Sequence, residues 1–257
     1  VKYIKIIFDE LSKDGIATYK RIYGDWTNPS LISWKSTLLD NSITPIQQYS
    51  YTSGKNSTDS AMIIDAMDIL YSGKVEGFCL VSSDSDFTRL ASRLRESGMA
   101  VIGMGESKTP NSFIAACNKF KYLDILSAAE EEEGEESPKA EAAKKTAQPK
   151  KAAQRASSKK AKEESKTEKE PKPADEPRTS LRTIRRALRT IVRENSDEDN
   201  WIMVSQVCNL LDKRYPDFDV RNFGFSKLTP FLESLDMFEI KDMKKDSSSP
   251  QRYVRLK

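Results

Sequence analysis

The sequence predicts an α/β domain with a doubly wound, mostly parallel sheet, followed by a charged linker and a small winged helix-turn-helix domain. In residues 1–126, short apolar segments typical of buried strands alternate with segments of helical period, which predicts parallel strands joined by crossover helices. Residues 127–179 contain no aromatic side chain and almost nothing to bury. Residues 180–257 contain three helical patterns and then two short extended segments around a polar turn. We therefore place the two domains at 1–126 and 180–257.

The elements of the first domain follow from hydrophobic spacing and from turn residues. Apolar residues recur at helical spacing between Tyr3 and Leu11, and this helix is expected to stop at Gly15. Pro29 stands at the start of another helical pattern, where a helix tolerates proline. We predict helices over 1–15, 28–42, 57–70, 87–97 and 110–120. We predict strands over 16–26, 45–53, 75–83 and 99–105.

The elements of the second domain are predicted in the same way. The apolar residues of its first helix recur at helical spacing on one face: Leu181, Ile184, Leu188, Ile191 and Val192. We predict helices over 180–195, 203–216 and 225–236, and two short strands within 238–257.

The beginning of the chain is unusual for this fold. Val1 opens the sequence and its first element is a helix, whereas doubly wound domains usually begin with a strand that lies in mid-sheet. Losing such a strand would leave its neighbours without several backbone hydrogen bonds. We therefore expect the sequence to be truncated at its N-terminus and the first strand of the sheet to precede Val1.

The segment 127–179 is predicted to be a disordered linker, because it cannot offset the entropy of ordering. Its acidic and basic blocks are typical of a solvated tether, and the lysine-rich part 144–172 is alternatively a site of non-specific phosphate binding. The net positive charge of the chain lies in the segment that follows this linker. Residues 180–257 carry 15 basic and 12 acidic side chains, whereas the rest of the chain is balanced.

Composition excludes several kinds of chemistry. The chain has no histidine, which excludes histidine-based acid–base catalysis and the commonest zinc ligand. Its three cysteines, Cys79, Cys117 and Cys208, are far apart and lack CxxC spacing, so we expect buried thiols in a reducing compartment. Neither a signal peptide nor an apolar run of about 20 residues is visible, which predicts a cytoplasmic protein without a membrane span.

A pair of aspartates follows the predicted strand 75–83. Asp84 and Asp86 stand one residue apart at the carboxyl end of this strand, where ligands gather in open α/β sheets. Clustered carboxylates are typical ligands of hard divalent cations, and Mg²⁺ is commonly held by one or two of them plus substrate phosphates. The alternative is that one of the two caps the next helix, since Asp is favoured there.

A second acidic cluster lies in the predicted helix 57–70. Asp59 is in its first turn, where its charge suits the helix dipole, and it also follows an extended segment. It should therefore lie at the same sheet edge as Asp84. Asp65 and Asp68 are farther along the helix. Asp68 is expected to be a solvated charge, and the spacing does not decide the role of Asp65.

The segments YKRIYGDW, GKNSTDSAMIIDAMDIL and VEGFCLVSSDSDFTRLASRLRESGMAVIGMG resemble the NYN domain, a branch of the PIN-like ribonucleases. The resemblance covers about residues 1–126. It implies a PIN-like sheet and a metal-dependent ribonuclease, endonucleolytic in action, with Mg²⁺ or Mn²⁺ as cofactor. By position, Asp59, Asp84 and Asp86 match the acidic residues that serve as catalytic groups and metal ligands. Asp65 matches a commonly acidic position with a supporting role.

The chain departs from this family in one respect. Its members usually carry another acidic residue on the first strand, in a stretch like FIDxxN, and the present sequence has none. We expect that acid on the strand that would precede Val1, so that these 257 residues alone need not be active.

The segments TIRRALRTIVREN, WIMVS and YPDFDVRNFGFSKLTPFLESLDMFEI are similar to the LOTUS (OST-HTH) domain. That similarity implies RNA binding, or in some members a protein partner. Phe223 and Phe225 are expected to belong to the core rather than to stack on bases. The candidate RNA-binding residues, each with an ordinary solvated surface as its alternative, are Arg89, Arg93, Arg185, Arg189, Lys227, Lys244 and Lys245; Arg182, Arg186 and Arg193 share a helix with two of them.

Two functions of different classes follow. In the first, the protein is a metal-dependent endoribonuclease whose LOTUS domain, on a tether that spans roughly 35–45 Å, brings RNA to the acidic site. In the second, it is a non-catalytic RNA-binding or scaffolding regulator. The sequence favours the enzyme, because three aspartates are expected at one sheet edge.

Overall fold

The computed structural model describes residues 1–49, 57–135, 179–243 and 251–257. It confirms a parallel α/β domain followed by a small winged-helix domain. The helices of the first domain are α1 Ile4–Leu11, α2 Trp34–Asp40, α3 Ser57–Ser72, α4 Thr88–Glu96, α5 Asn111–Ala116 and α6 Leu123–Glu135. Its strands are β1 Arg21–Gly24, β2 Thr44–Gln47, β3 Gly77–Val81, β4 Ala100–Gly105 and β5 Lys119–Tyr122.

The strands of this domain pair in parallel, as predicted, but they form two sheets rather than one. β1 pairs with β2, and β3, β4 and β5 form a separate sheet in that order. The buried core lies between the second sheet and the helices α3, α4 and α5, where Leu94, Val101 and Phe113 are fully enclosed. Burial of each such side chain contributes about 1.5–3 kcal/mol. The strand that precedes the acidic motif is therefore part of a packed core. A further strand before Val1 stays a prediction.

The prediction for residues 110–120 is wrong. Instead of one helix, the chain forms α5 and then β5. The cause is Asn118, whose side-chain oxygen accepts a hydrogen bond from the Val101 amide at 2.9 Å, while the Asn118 amide donates to the Val101 carbonyl at 2.8 Å. These two bonds draw the chain alongside β4, so Phe120 becomes part of a strand.

The predicted helix 28–42 and the start of the predicted linker also differ from the structure. The predicted helix 28–42 is divided into a 3-10 turn, Pro29–Leu31, capped by the Asn28 side chain, and α2. The helix α6 was not predicted and ends at Glu135, inside the segment assigned to the linker. Leu123 and Leu126 of α6 pack against Ile6 of α1, and this tertiary contact stabilises a helix that the composition does not favour.

The second domain has the predicted three helices and hairpin, with one additional strand. The helices are α7 Leu181–Asn195, α8 Val204–Arg214 and α9 Leu228–Ser234, and the strands are β6 Ile202–Met203, β7 Phe238–Met243 and β8 Gln251–Leu256. The strands pair antiparallel in the order β6-β8-β7. Phe231 is fully buried, and Phe218, Phe223 and Phe225 surround its ring at centroid distances of 5.3–6.0 Å. The expectation that Phe223 and Phe225 belong to the core is confirmed.

The cysteines are free thiols, as expected. Cys117 is buried, and Cys79 and Cys208 are half-buried. Burial raises the pKa of Cys79 and of Cys117 to about 12, so these thiols stay protonated and unreactive at neutral pH. Within the described part of the chain, no helix is both long and apolar enough to cross a bilayer.

The two domains touch each other directly, which the sequence did not predict. The amide of Phe120 on β5 donates a hydrogen bond to the carbonyl of Pro216 at 2.7 Å, and Arg221 forms an ion pair with Glu10 of α1 at 2.6 Å. The second domain is therefore held by direct contacts and not by the linker alone. Residues 136–178 of the predicted linker 127–179, which include its lysine-rich part, lie outside the described residues.

We expect acid to destabilise the protein partly through Glu10. Burial alone would raise the pKa of Glu10, but hydrogen bonds from Arg221, Lys13 and Lys121 hold it well below its usual range. A lowered pKa means that the stabilisation is fully present above the unfolded-state pKa of about 4.3 and is lost as pH falls below it. Urea unfolding of the wild type and of Glu10→Gln at pH 7, 4 and 3 should show a smaller loss of unfolding free energy in the variant. Equal losses would contradict this assignment.

Candidate active site

The acidic motif begins where β3 ends. After Val81, the amide of Ser82 continues the ladder by donating to the Met104 carbonyl at 2.9 Å, and the chain then turns outward. The Asp84 amide donates to the Ser82 hydroxyl at 3.1 Å, and the Asp86 amide donates to Oδ1 of Asp84 at 3.0 Å. Asp84 therefore caps the 3-10 turn Ser85–Phe87, as the alternative interpretation predicted. Its carboxylate is nevertheless exposed, so it keeps acceptor capacity toward solvent.

Asp59 joins this pair from another element. It lies in the first turn of α3 and is half-buried, whereas Asp84 and Asp86 are exposed. Burial raises the pKa of Asp59, and the negative charges of Asp84 and Asp86 raise it further. Such coupling places Asp59 within electrostatic range of Asp84 and of Asp86. The helix α3, which carries Asp59, also contacts the turn Ser85–Phe87, which carries Asp86.

Gly105 and Ser83 shape the edge beneath the motif. A Cβ atom on Gly105 would stand 2.6 Å from the Ser82 carbonyl oxygen, a distance that real Cβ atoms do not show. The absence of that atom lets the ends of β3 and β4 approach each other. The Glu106 amide then donates to the Ser83 hydroxyl at 2.9 Å, which ties the motif to the end of β4.

Two further carboxylates at this edge were missed by the sequence analysis. Glu106 directly follows β4, and Asp124 lies in the first turn of α6 just after β5. Their position directly after a strand is the signal that could have identified them. Both have structural partners: Glu106 pairs with Lys108 at 2.6 Å, and Asp124 accepts from the amide and hydroxyl of Ser107.

Asp65 has a different role from the three clustered aspartates. Its carboxylate accepts hydrogen bonds from Arg21 and Tyr23 of β1 and so fastens α3 to the β1–β2 sheet. Burial alone would raise the pKa of Asp65, but these two hydrogen bonds lower it. The side chain supports the position of α3, which carries Asp59.

We expect Asp65→Asn to lower the unfolding free energy by about 1.5–3 kcal/mol, the range for hydrogen bonds to a charged group. Asp68→Asn is the matched control, because Asp68 is exposed on the same helix. Chemical denaturation of both variants measures the difference. A loss in Asp68→Asn as large as that in Asp65→Asn would refute the role of Asp65 as an anchor.

The predicted RNA-binding residues of the first domain lie on α4. Arg89 and Arg93 are both exposed, one and two turns beyond the motif. Arg93 donates to the Tyr71 hydroxyl at 3.5 Å, a long contact that leaves most of its donors to solvent. Lys55, which precedes Asp59 in the family pattern, lies outside the described residues.

The basic residues of the second domain differ in their environment. Arg185 donates to the Leu235 carbonyl at 2.8 Å and therefore helps to hold α7 against the end of α9. Lys227 is exposed directly before α9, while Lys244 and Lys245 lie outside the described residues. The other arginines of α7 form an exposed row at spacings of four, three and four residues, which we call the α7 arginine face: Arg182, Arg186, Arg189 and Arg193.

The acidic edge fits a hard divalent cation by its donor type. Three carboxylates offer the oxygen ligands that Mg²⁺ and Mn²⁺ prefer. The pKa of Asp59 is raised first by burial and then by the charges of Asp84 and Asp86, and a cation would neutralise those charges. Among the described residues, however, no three Asp, Glu, Cys or His side chains are arranged as a complete ligand set. A site of one or two carboxylates completed by substrate phosphates needs no such set.

Comparisons with known proteins agree with the two-domain architecture. The family model described as the NYN domain matches residues 2–124, and that of the OST-HTH/LOTUS domain matches residues 179–249. A solution NMR structure of an uncharacterized protein of Nitrosomonas europaea is 27% identical over 36% of this chain and 91% of its own, with a TM-score of 0.28. No curated protein matches the chain.

Proposed function

Since the chain contains an NYN domain followed by an OST-HTH/LOTUS domain, we propose that it is a metal-dependent endoribonuclease whose acidic site is formed by Asp59, Asp84 and Asp86. The proposal is supported by the contact between α3, which carries Asp59, and the turn Ser85–Phe87, which carries Asp86, and by the charges of Asp84 and Asp86, which after burial raise the pKa of Asp59. The NYN domain belongs to the nuclease superfamily, and the OST-HTH/LOTUS domain implies RNA binding. The preferred ion is Mg²⁺ or Mn²⁺.

The chain's own residues supply binding and positioning at this site. One or two carboxylates of the exposed Asp84 and Asp86 and the half-buried Asp59 would hold the ion, and phosphate oxygens of the RNA would complete its ligands. A bound divalent ion activates water and neutralises charge that develops on the phosphate. Arg89, exposed at the start of α4 beside the motif, offers a guanidinium to the RNA backbone. Phe87, which is 4% exposed, anchors the turn in the core and keeps the carboxylates in place.

RNA is recruited, in this proposal, by the α7 arginine face. At 1.5 Å per residue, the face extends about 16 Å along the helix. The only acidic residue in α7 is Glu194, so the face has little opposing charge on its own helix. Arg193 at its end also borders an open cavity of about 460 Å³, whose lining includes Arg255, paired with Glu239, and Lys257, paired with Asp236. Exposed arginines in a row are suited to phosphates along one strand.

A non-catalytic RNA-binding regulator is the second candidate, and the same α7 arginine face favours it, because RNA binding does not need the acidic edge. The discriminating experiment is incubation of an internally labelled, unstructured RNA with purified protein and Mn²⁺. The enzyme proposal expects cleavage that EDTA abolishes. RNA binding without cleavage under any metal condition would favour the regulator instead.

A further inference from the structure

The contact between the two domains contains charged groups with little exposed surface, among them Glu10 and Asp217. On the NYN side it involves the end of α1 and the strand β5; on the OST-HTH side it involves the segment 216–222, which we call the docking segment. β5 is an edge strand of its sheet. The Pro216 carbonyl accepts from the Phe120 amide at 2.7 Å and so satisfies one backbone donor on this edge.

Glu10 and Arg221 form the centre of this contact. The Glu10 side chain is only 5% exposed, yet it carries a carboxylate. Arg221 binds it with both terminal nitrogens, at 2.6 and 3.0 Å, in the bidentate geometry that suits a guanidinium and a carboxylate. Lys121 of β5 adds a contact at 3.0 Å. Asp219 holds the Arg221 guanidinium from its own domain, at 2.6–3.1 Å.

Asp217 forms a second buried contact beside the first. It is 5% exposed and accepts hydrogen bonds from the Tyr122 hydroxyl of β5 at 3.1 Å and from the Thr179 hydroxyl at 2.6 Å. Thr179 stands where the chain enters the OST-HTH domain. Without the NYN domain, Asp217 would lose the hydrogen bond from Tyr122 and Arg221 would lose its ion pair with Glu10, while the partners in their own domain, Thr179 and Asp219, would remain.

The docking segment also reaches the carboxyl ends of the strands, where the acidic motif lies. In the parallel register, Val81 at the end of β3 pairs with Met104, and Met104 pairs with Lys121 near the end of β5. Tyr122, which ends β5 and binds Asp217, therefore lies at the same carboxyl edge as the end of β3, two inter-strand spacings or about 10 Å away, with β4 in between. The OST-HTH domain is therefore fastened beside the carboxyl edge that carries Asp84.

We propose that the docking segment is a binding surface for the chain's own NYN domain, and that this docked arrangement sets the distance at which RNA held by the OST-HTH domain enters the acidic site. The positioning of RNA in this proposal rests on the proposed function. The docking segment is then occupied by protein, and RNA binds elsewhere on the domain. Cleavage occurs within a narrow range of positions relative to the bound part of the RNA, whereas a free tether would spread it.

The first test measures whether the domains tumble together in the full chain. Amide ¹⁵N relaxation should give both domains one correlation time, that of a 29.1 kDa body. In the double variant Glu10→Gln/Tyr122→Phe, which changes only the NYN side, we expect two shorter and unequal correlation times while both domains keep dispersed spectra. Glu96→Gln, an exposed change outside the contact, is the control and should tumble as the wild type. Independent tumbling in the wild type would overturn the proposal.

The second test maps the cleavage positions on an end-labelled single-stranded RNA of about 40 nucleotides with Mn²⁺. The wild type and Glu96→Gln should cut within a narrow window, and Glu10→Gln/Tyr122→Phe should cut over a window at least twice as wide. Identical windows despite separate tumbling would overturn the positioning role and leave the nuclease proposal standing. Joint tumbling without cleavage by any protein would retain the docking but refute the nuclease proposal and, with it, the positioning role.

Discussion

Replacing Asp84 by Asn is expected to lower kcat for RNA cleavage by about 100- to 1000-fold, equivalent to roughly 3–4 kcal/mol of transition-state stabilisation. The substitution separates two functions of this side chain. Asn caps a helical turn about as well as Asp does, so the hydrogen bond from the Asp86 amide to the residue at position 84 should survive. Only the negative charge that would hold a divalent ion is lost. The experiment measures kcat with Mn²⁺ and compares thermal unfolding.

Asp59→Asn should produce a loss of the same order, because its carboxylate shares the cluster. Asp68→Asn is the matched control on the same helix and should keep wild-type kcat. RNA affinity without metal should be unchanged in all three variants. Normal cleavage by folded Asp84→Asn protein would show that the acidic edge takes no part in cleavage. Equal cleavage by all variants would indicate a contaminating nuclease.

The double substitution Arg186→Gln/Arg189→Gln is expected to weaken RNA binding by about 10- to 100-fold at low salt, because two phosphate contacts are removed. For a single-stranded RNA, the slope of log affinity against log salt should become shallower by about 1.4, that is about 0.7 for each contact. The kcat at saturating RNA should stay within about two-fold of the wild type, since neither residue lies at the acidic edge. Fluorescence anisotropy between 50 and 300 mM salt measures both quantities.

Arg252→Gln is the control for this experiment. Arg252 is exposed in the same domain, but it forms an ion pair with Asp242 at 2.9 Å, so its charge is already compensated. Its removal should change the salt slope by less than about 0.3, below the effect of a single phosphate contact. If the α7 double variant and Arg252→Gln behave alike, the α7 arginine face is an ordinary solvated surface.

The local part of this structure follows from the sequence. The position of Asp84 and Asp86 after a short apolar strand predicts their place at the sheet edge, because parallel strands expose their carboxyl ends there. Helical spacing likewise predicts the arginine row of α7. These inferences succeed because each depends on residues close together in the chain, where the period of the backbone decides which side chains share a face.

The parts that depend on distant residues could not be predicted. β5 and α6 exist because Asn118 bonds to Val101 and because Leu123 packs near Ile6, and neither partner is visible in the local pattern. The contact between Glu10 and Arg221 joins residues 211 positions apart. In the sequence both look like surface charges. Only the fold shows that the Arg221 guanidinium binds the Glu10 carboxylate where the two domains meet.

The measurement that tests the central claim most directly is the chemical identity of the RNA ends that the purified protein produces with Mn²⁺. Hydrolysis by a metal-activated water does not use the ribose 2′-hydroxyl, so mass spectrometry should find no 2′,3′-cyclic phosphate. Replacing the 2′-hydroxyl at the cut position by a 2′-methoxy group should also leave a cleavable RNA. We expect both results for the wild type, and we expect Asp84→Asn to cleave neither RNA. Cyclic phosphate ends, or cleavage that persists in EDTA, would contradict a metal-dependent site at this edge.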